Sequence, residues 1–193
     1  MNTTFRNISL VVVMMGTLVF FGNCSGGHKK KIAKIDSLIV EVEKSAELLK
    51  AINYDTISHL NSVFKATNSD IARVTVIRPT PDEMVVFEMF GQCKKPFRKY
   101  LESKANSEQE LDYTKKQLES LKESISSNQI PKDSIDSYLM IEEASALDIT
   151  IEVNKMVEKL NAHRVKFDTL LPKVRLIVAG LDNQIQSNPK LKK

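Results

Sequence analysis

Apolar residues recur along this chain at alternating steps of three and four, over three long stretches separated by proline-bearing gaps. In the first stretch, residues 30–77, Ile32, Ile35, Ile39, Val42, Ala46 and Leu49 follow this spacing without interruption. It is the heptad pattern of a helix packed along its whole length. Asn53 then takes a slot in the seam, and a four-residue step leads on to Ile57, Leu60, Phe64, Thr67, Ile71 and Val74. Such an insertion is a stutter, which unwinds a supercoil locally without ending the helix. The alternative is a break at Asn68-Ser69-Asp70.

The second stretch opens on Thr80-Pro81-Asp82-Glu83, a capping box with proline at the first helical position. Its seam runs from Val86 through Phe90, Cys93, Phe97 and Tyr100 to Leu118, Leu121 and Ile125, with Lys104 and Ser107 in mid-seam slots. Pro96 falls inside it and predicts a kink, because it removes a backbone hydrogen bond. The third stretch follows the gap at 126–131. Its seam starts Ile135, Leu139, Glu142, Ala146 and continues past His163 and Phe167 to Leu181, with a second kink or short break at Pro172. Three matched helices joined by short loops predict an all-α fold: an elongated, antiparallel three-helix, coiled-coil-like bundle. A break near Asn68 would make it a four-helix bundle.

Ahead of the bundle the pattern changes. Residues 8–21 are almost purely apolar, follow Arg6, and run directly into Gly22-Asn23-Cys24. The run is shorter than the roughly 17–25 residues of a spanning helix, so it reads as a signal peptide rather than an uncleaved anchor over 8–24. A cysteine at that place resembles the lipobox of bacterial lipoproteins. Gly22 fits that pattern, Phe21 is an apolar replacement, and Asn23 departs from it. The relaxed form is similar to that of small helical lipoproteins of Bacteroidota type. The resemblance implies cleavage before Cys24 and acylation of its thiol. The residues after it are Ser25-Gly26-Gly27-His28 and Lys29 to Lys31, not acidic. The resemblance then implies a lipid-anchored protein of the cell envelope, facing the periplasm at the outer membrane. The expected organisation is a signal peptide over 1–23, a lipidated tether over 24–31, the bundle over 32–185 and a basic tail over 186–193.

Charge adds little. The formal net charge is +4, with the excess in short runs at Lys29–Lys31, Lys94-Lys95 and Lys190, Lys192, Lys193. These are solvated ends and faces, and the first run would also favour anionic headgroups beside the anchor. No nucleic-acid partner is expected, because the cations are not interleaved with aromatics. With Cys24 acylated, Cys93 would have no partner for a disulfide.

Matching the midpoints of the helices puts Asn53 and Thr56 level with Lys104 and Ser107, a candidate polar core layer that would specify register, with a ligand-binding pocket or a solvent-exposed gap in the bundle as the alternatives. His59 and His163 fall near one layer, with Cys93 beyond them, and are the candidates for a metal or haem site. No Glu-x-x-His pair supports it, since Leu160 stands in that place before His163. Six glycines leave no phosphate-binding loop, and no Gly-x-Ser-x-Gly elbow occurs. No catalytic residue and no cofactor are therefore expected. Glu142 in a seam slot predicts an ion pair across the bundle. The expected function is a non-enzymatic structural or protein-interaction role, tethered to the membrane by lipid, with an envelope protein as partner or with self-association through the seams. The alternative is a tethered bundle that binds a lipid, haem or metal.

Overall fold

A computed structural model describes residues 25–187. The segment expected as a signal peptide, Cys24 and the cationic end at Lys190, Lys192 and Lys193 lie outside the described residues. The fold is all-α. Among the described residues the helices are α1 (Ser25–Lys50), α2 (Tyr54–Val74), α3 (Pro81–Gly91), α4 (Lys94–Ser126) and α5 (Ile135–Ser187), with a 3-10 turn at Thr75–Ile77. The helix begins at Ser25, so the glycine-lysine segment expected as a tether is part of α1.

The helices pack in two compact units. The first joins α1 as far as Glu43 to Leu111–Asp148. Lys31 meets Asp136 at 2.7 Å and Lys34 meets Glu143, so α1 and α5 run parallel there. Lys122 meets Asp36 and Lys115 meets Glu43, each at 2.6 Å, so α4 runs against them. Ile35, Leu38, Val42, Leu118, Leu121, Ile125, Ile135 and Leu139 fill the core. The order is up-down-up, as expected of a three-helix bundle.

The second unit joins Lys44–Glu110 to the chain from Ile149 onward. The order is again up-down-up. Ser45 donates to Asn154 at 3.2 Å, and Arg73 forms a two-pronged pair with Asp182. Lys99 reaches Glu152 at 2.9 Å and Lys166 reaches Gln92 at 2.6 Å, in the opposite sense. An aromatic stack marks the centre: Phe64 on Phe90 at 5.1 Å, Phe90 on Phe167 at 5.3 Å, and Phe97 edge-on to Phe167 at 5.4 Å.

The first stretch does break, but earlier than Asn68. The chain leaves α1 at Lys50 and re-enters a helix at Tyr54, while α2 runs unbroken through Asn68. Asn53 is the reason. Its backbone is extended, and its side-chain oxygen accepts from Thr56 N–H at 2.9 Å as an N-cap. Asp55 adds an acidic residue to that first turn. The stutter expected at this place is therefore an interruption. Register survives it, because the Ser45–Asn154 and Arg73–Asp182 contacts on either side share a separation of 109 residues. Asn53→Ala should cost about 1 kcal/mol through the lost cap, read as a lower Tm.

The other boundaries follow local chemistry. Thr80 and Glu83 close the capping box in both directions: Thr80 N–H donates to Glu83 Oε2 at 2.7 Å, and Glu83 N–H donates to Thr80 Oγ1 at 3.3 Å. The kink expected at Pro96 is instead a short break at Gln92 and Cys93. This places Pro96 in the first turn of α4, where a missing N–H forfeits no helical bond. α5 continues through Pro172. α4 ends where Asn128 takes φ 54° and Gln129 N–H donates to the Ser124 carbonyl at 2.9 Å, a Schellman closure with asparagine in place of glycine.

Candidate functional site

The polar layer expected in the core does not form. Asn53 and Thr56 are exposed, because Asn53 caps α2 and Thr56 lies in its first turn. Lys104 is half-buried and pairs with Glu108 on its own helix, one turn along. Only Ser107 is buried. Matching helix midpoints assumes unbroken helices, and the interruption at Asn53 turns that side chain away.

The polar device that does occupy the core is Tyr100. Its ring is fully buried, and its hydroxyl donates to the Ile52 carbonyl at 2.8 Å. The α1–α2 interruption frees that carbonyl from helical bonding, and the phenol on α4 satisfies it. Burial, with smaller contributions from Glu108 and Tyr54, pushes the phenol up to about 12.

The histidines and the cysteine do not converge. His59 is exposed on α2. The His163 Nδ1 lies 2.8 Å from the Lys159 carbonyl, within its own helix. Cys93 is buried and its thiol reaches the His163 backbone carbonyl at 3.6 Å, not the ring. Burial pushes this thiol up, and Lys166 opposes that weakly. Among the described residues no group of three or more His, Cys, Asp or Glu is placed to hold a metal.

The hollows on the surface of the described residues include three of interest. One in the second unit holds the Arg73–Asp182 pair with Arg175 and Asp70. Another presents Lys65, Lys94 and Arg98 beside Asn61. The third, in the first unit, is a groove of about 280 Å³ between α4 and α5. Gln117, Ser120 and Ser124 line one wall, Tyr138 and Glu142 the other, and Gln129, Ile130 and Pro131 close its end.

Glu142 is the sequence oddity that the structure leaves unresolved by pairing. Among the described residues the ion pair expected across the bundle does not form: the α4 wall facing Glu142 is Gln117, Ser120 and Ser124, and no cation lines the groove. Glu142 is half-buried, and burial alone raises its carboxyl above the ordinary range. The fold thus favours its protonated form. The contribution is present at low pH and is lost as pH rises through the raised value. Glu142→Gln should raise Tm slightly at neutral pH and flatten the pH dependence just above the ordinary carboxylate range, read by thermal melts across pH. Tyr138 and the loop that closes this groove were not singled out by spacing, because the groove forms only where α4, its C-cap and α5 meet.

Among the described residues no helix is long and apolar enough to cross a membrane. No protein-family model, curated protein or solved structure matches the chain.

Proposed function

We propose that this chain is an envelope lipoprotein, anchored through an acylated Cys24 and facing the periplasm, with a non-enzymatic structural or protein-interaction role. The observation that carries the anchor is the apolar run at 8–21 ending directly on Gly22-Asn23-Cys24. Two features support the role. The described residues form paired long helices whose polar core groups serve the fold itself, as Tyr100 does for Ile52. The largest exposed side chains include apolar ones on outward helix faces, such as Met140 and Ile141 on α5.

Mass spectrometry of the membrane fraction tests the anchor. The expected result is a mature chain starting at a lipid-bearing Cys24, and a Cys24→Ala chain that leaves that fraction. An unmodified Cys24, or a mature start elsewhere, would overturn the anchor. The purified chain should carry no ligand at defined stoichiometry. A stoichiometric lipid, haem or metal would replace the interaction role with ligand binding.

A further inference from the structure

The start of α5 carries an unusual face. From Ile135 to Asp148 the helix has four carboxylates, Asp136, Glu142, Glu143 and Asp148, and no lysine, arginine or histidine. α1 neutralises one side of it, through Lys31 on Asp136 and Lys34 on Glu143. The opposite side keeps its charge, because Glu142 has no cation within pairing distance among the described residues and the α4 wall of its groove is Gln117, Ser120 and Ser124. Between these two edges the helix turns apolar side chains to solvent: Tyr138 is 49% exposed, Met140 66% and Ile141 56%. Tyr138, Ile141 and Glu142 are three and four residues apart and so form one ridge. The inward face of the same segment is already filled, with Ile135 and Leu139 buried.

We infer that this ridge and the Glu142 groove together form a docking surface for a basic amphipathic helix of a partner protein, whose apolar side chains cover Tyr138 and Ile141 and whose lysine or arginine enters the groove to meet Glu142. The inference rests on the protein-interaction reading above and names its surface and partner chemistry. Charge complementarity selects the occupant. A second copy presenting this face would set carboxylate against carboxylate, which is repulsive. An anionic lipid surface would repel it likewise. A neutral apolar helix would cover Ile141 but leave Glu142 desolvated and unpaired, which costs more than it returns. A guanidinium or ammonium in the groove supplies the missing charge, and the Tyr138 ring, one turn away on the same wall, can lie against its stem.

The test is site-resolved photo-crosslinking in the cells that make the protein, with the full chain. Benzoylphenylalanine replaces Ile141 in one chain and Val165, an exposed residue of α5 in the second unit, in another. The expected result is an adduct at position 141 to a single protein, through a peptide in which lysines or arginines flank apolar residues. Glu142→Lys in the same chain should lower its yield about ten-fold, the scale expected when one charge pair at an interface is reversed. Tyr138→Lys serves as a second disruptive variant, and thermal melts confirm that both remain folded. An adduct no stronger than at position 165, a crosslink to another copy of α5, an acidic partner peptide, or a yield unchanged by Glu142→Lys would each overturn the inference. A defined partner caught at 165 with nothing at 141 would sink this surface and leave the interaction role standing. Silence at both positions would sink both.

Discussion

Phe167→Ala is expected to cost about 3–5 kcal/mol, the largest single-residue effect in the second unit. Phe167 is fully buried and touches two rings at once, stacked on Phe90 at 5.3 Å and edge-on to Phe97 at 5.4 Å. Alanine there removes the apolar burial of a ring and leaves a cavity whose walls come from three helices and cannot collapse together. Each aromatic pair adds a further ~0.5–1.5 kcal/mol beyond area, and both are lost. At this chain length the change corresponds to a Tm lower by roughly 10 °C. Leu176→Ala is the control, because that side chain is mostly exposed and should shift stability by no more than about 0.5 kcal/mol. Equal shifts for the two variants would mean that the aromatic stack is not the centre of the unit.

Tyr100→Phe should cost about 1–3 kcal/mol while changing the volume of the core hardly at all. The variant keeps the ring and removes the hydroxyl, so the Ile52 carbonyl is left buried without a donor. The effect should also be local. Hydrogen exchange should accelerate over residues 50–57, the interruption that Tyr100 holds, more than in the middle of α5. The pH dependence gives a second readout. The unfolded phenol titrates near its ordinary value of 10, and the folded one is held up to about 12. The fold therefore favours the neutral phenol. That contribution is intact below the ordinary value and is lost as pH rises through the folded one. Wild-type stability should fall across this alkaline window more steeply than that of the Tyr100→Phe variant. Parallel curves would show that the hydroxyl is not in the bond described.

Much of the fold was legible because heptad spacing, caps and prolines are local signals. The seam from Phe90 to Ile125 is buried position by position apart from Lys104. The Thr80–Glu83 box closes as its residues require. Where the reading went astray, two local signals competed. Asn53 was read as a seam slot, but its side-chain oxygen caps α2 ahead of an acidic first turn, and the break this makes is supported by the Tyr100 phenol on the Ile52 carbonyl. Pro96 was taken as a kink because the seam stayed in phase, yet a break of two residues preserves phase as well.

The choice of core face shows the same limit more finely. Ile39 and Ala46 were placed in the α1 seam, but Leu38 and Ser45 are the buried residues. Both sets share Ile35, Val42 and Leu49 and differ by one position on either side, so spacing alone cannot choose between them. Polarity argued against Ser45. Its hydroxyl is nevertheless accommodated inside because Asn154, on a helix 109 residues later, accepts from it.

By itself the sequence determined that the chain is helical, that a helix starts at the Thr80–Glu83 capping box, and which residues could be inside, since these depend on neighbours within about one heptad. It also carried the whole case for Cys24, which depends on residues next to it in the chain. The tertiary structure alone decided which of two adjacent stripes faces the core, that the α1–α2 interruption is held by Tyr100, and that among the described residues Glu142 stands in its groove without a cation. Each of those outcomes depends on a partner, or the lack of one, on a different helix, and no periodicity within a single helix contains that information.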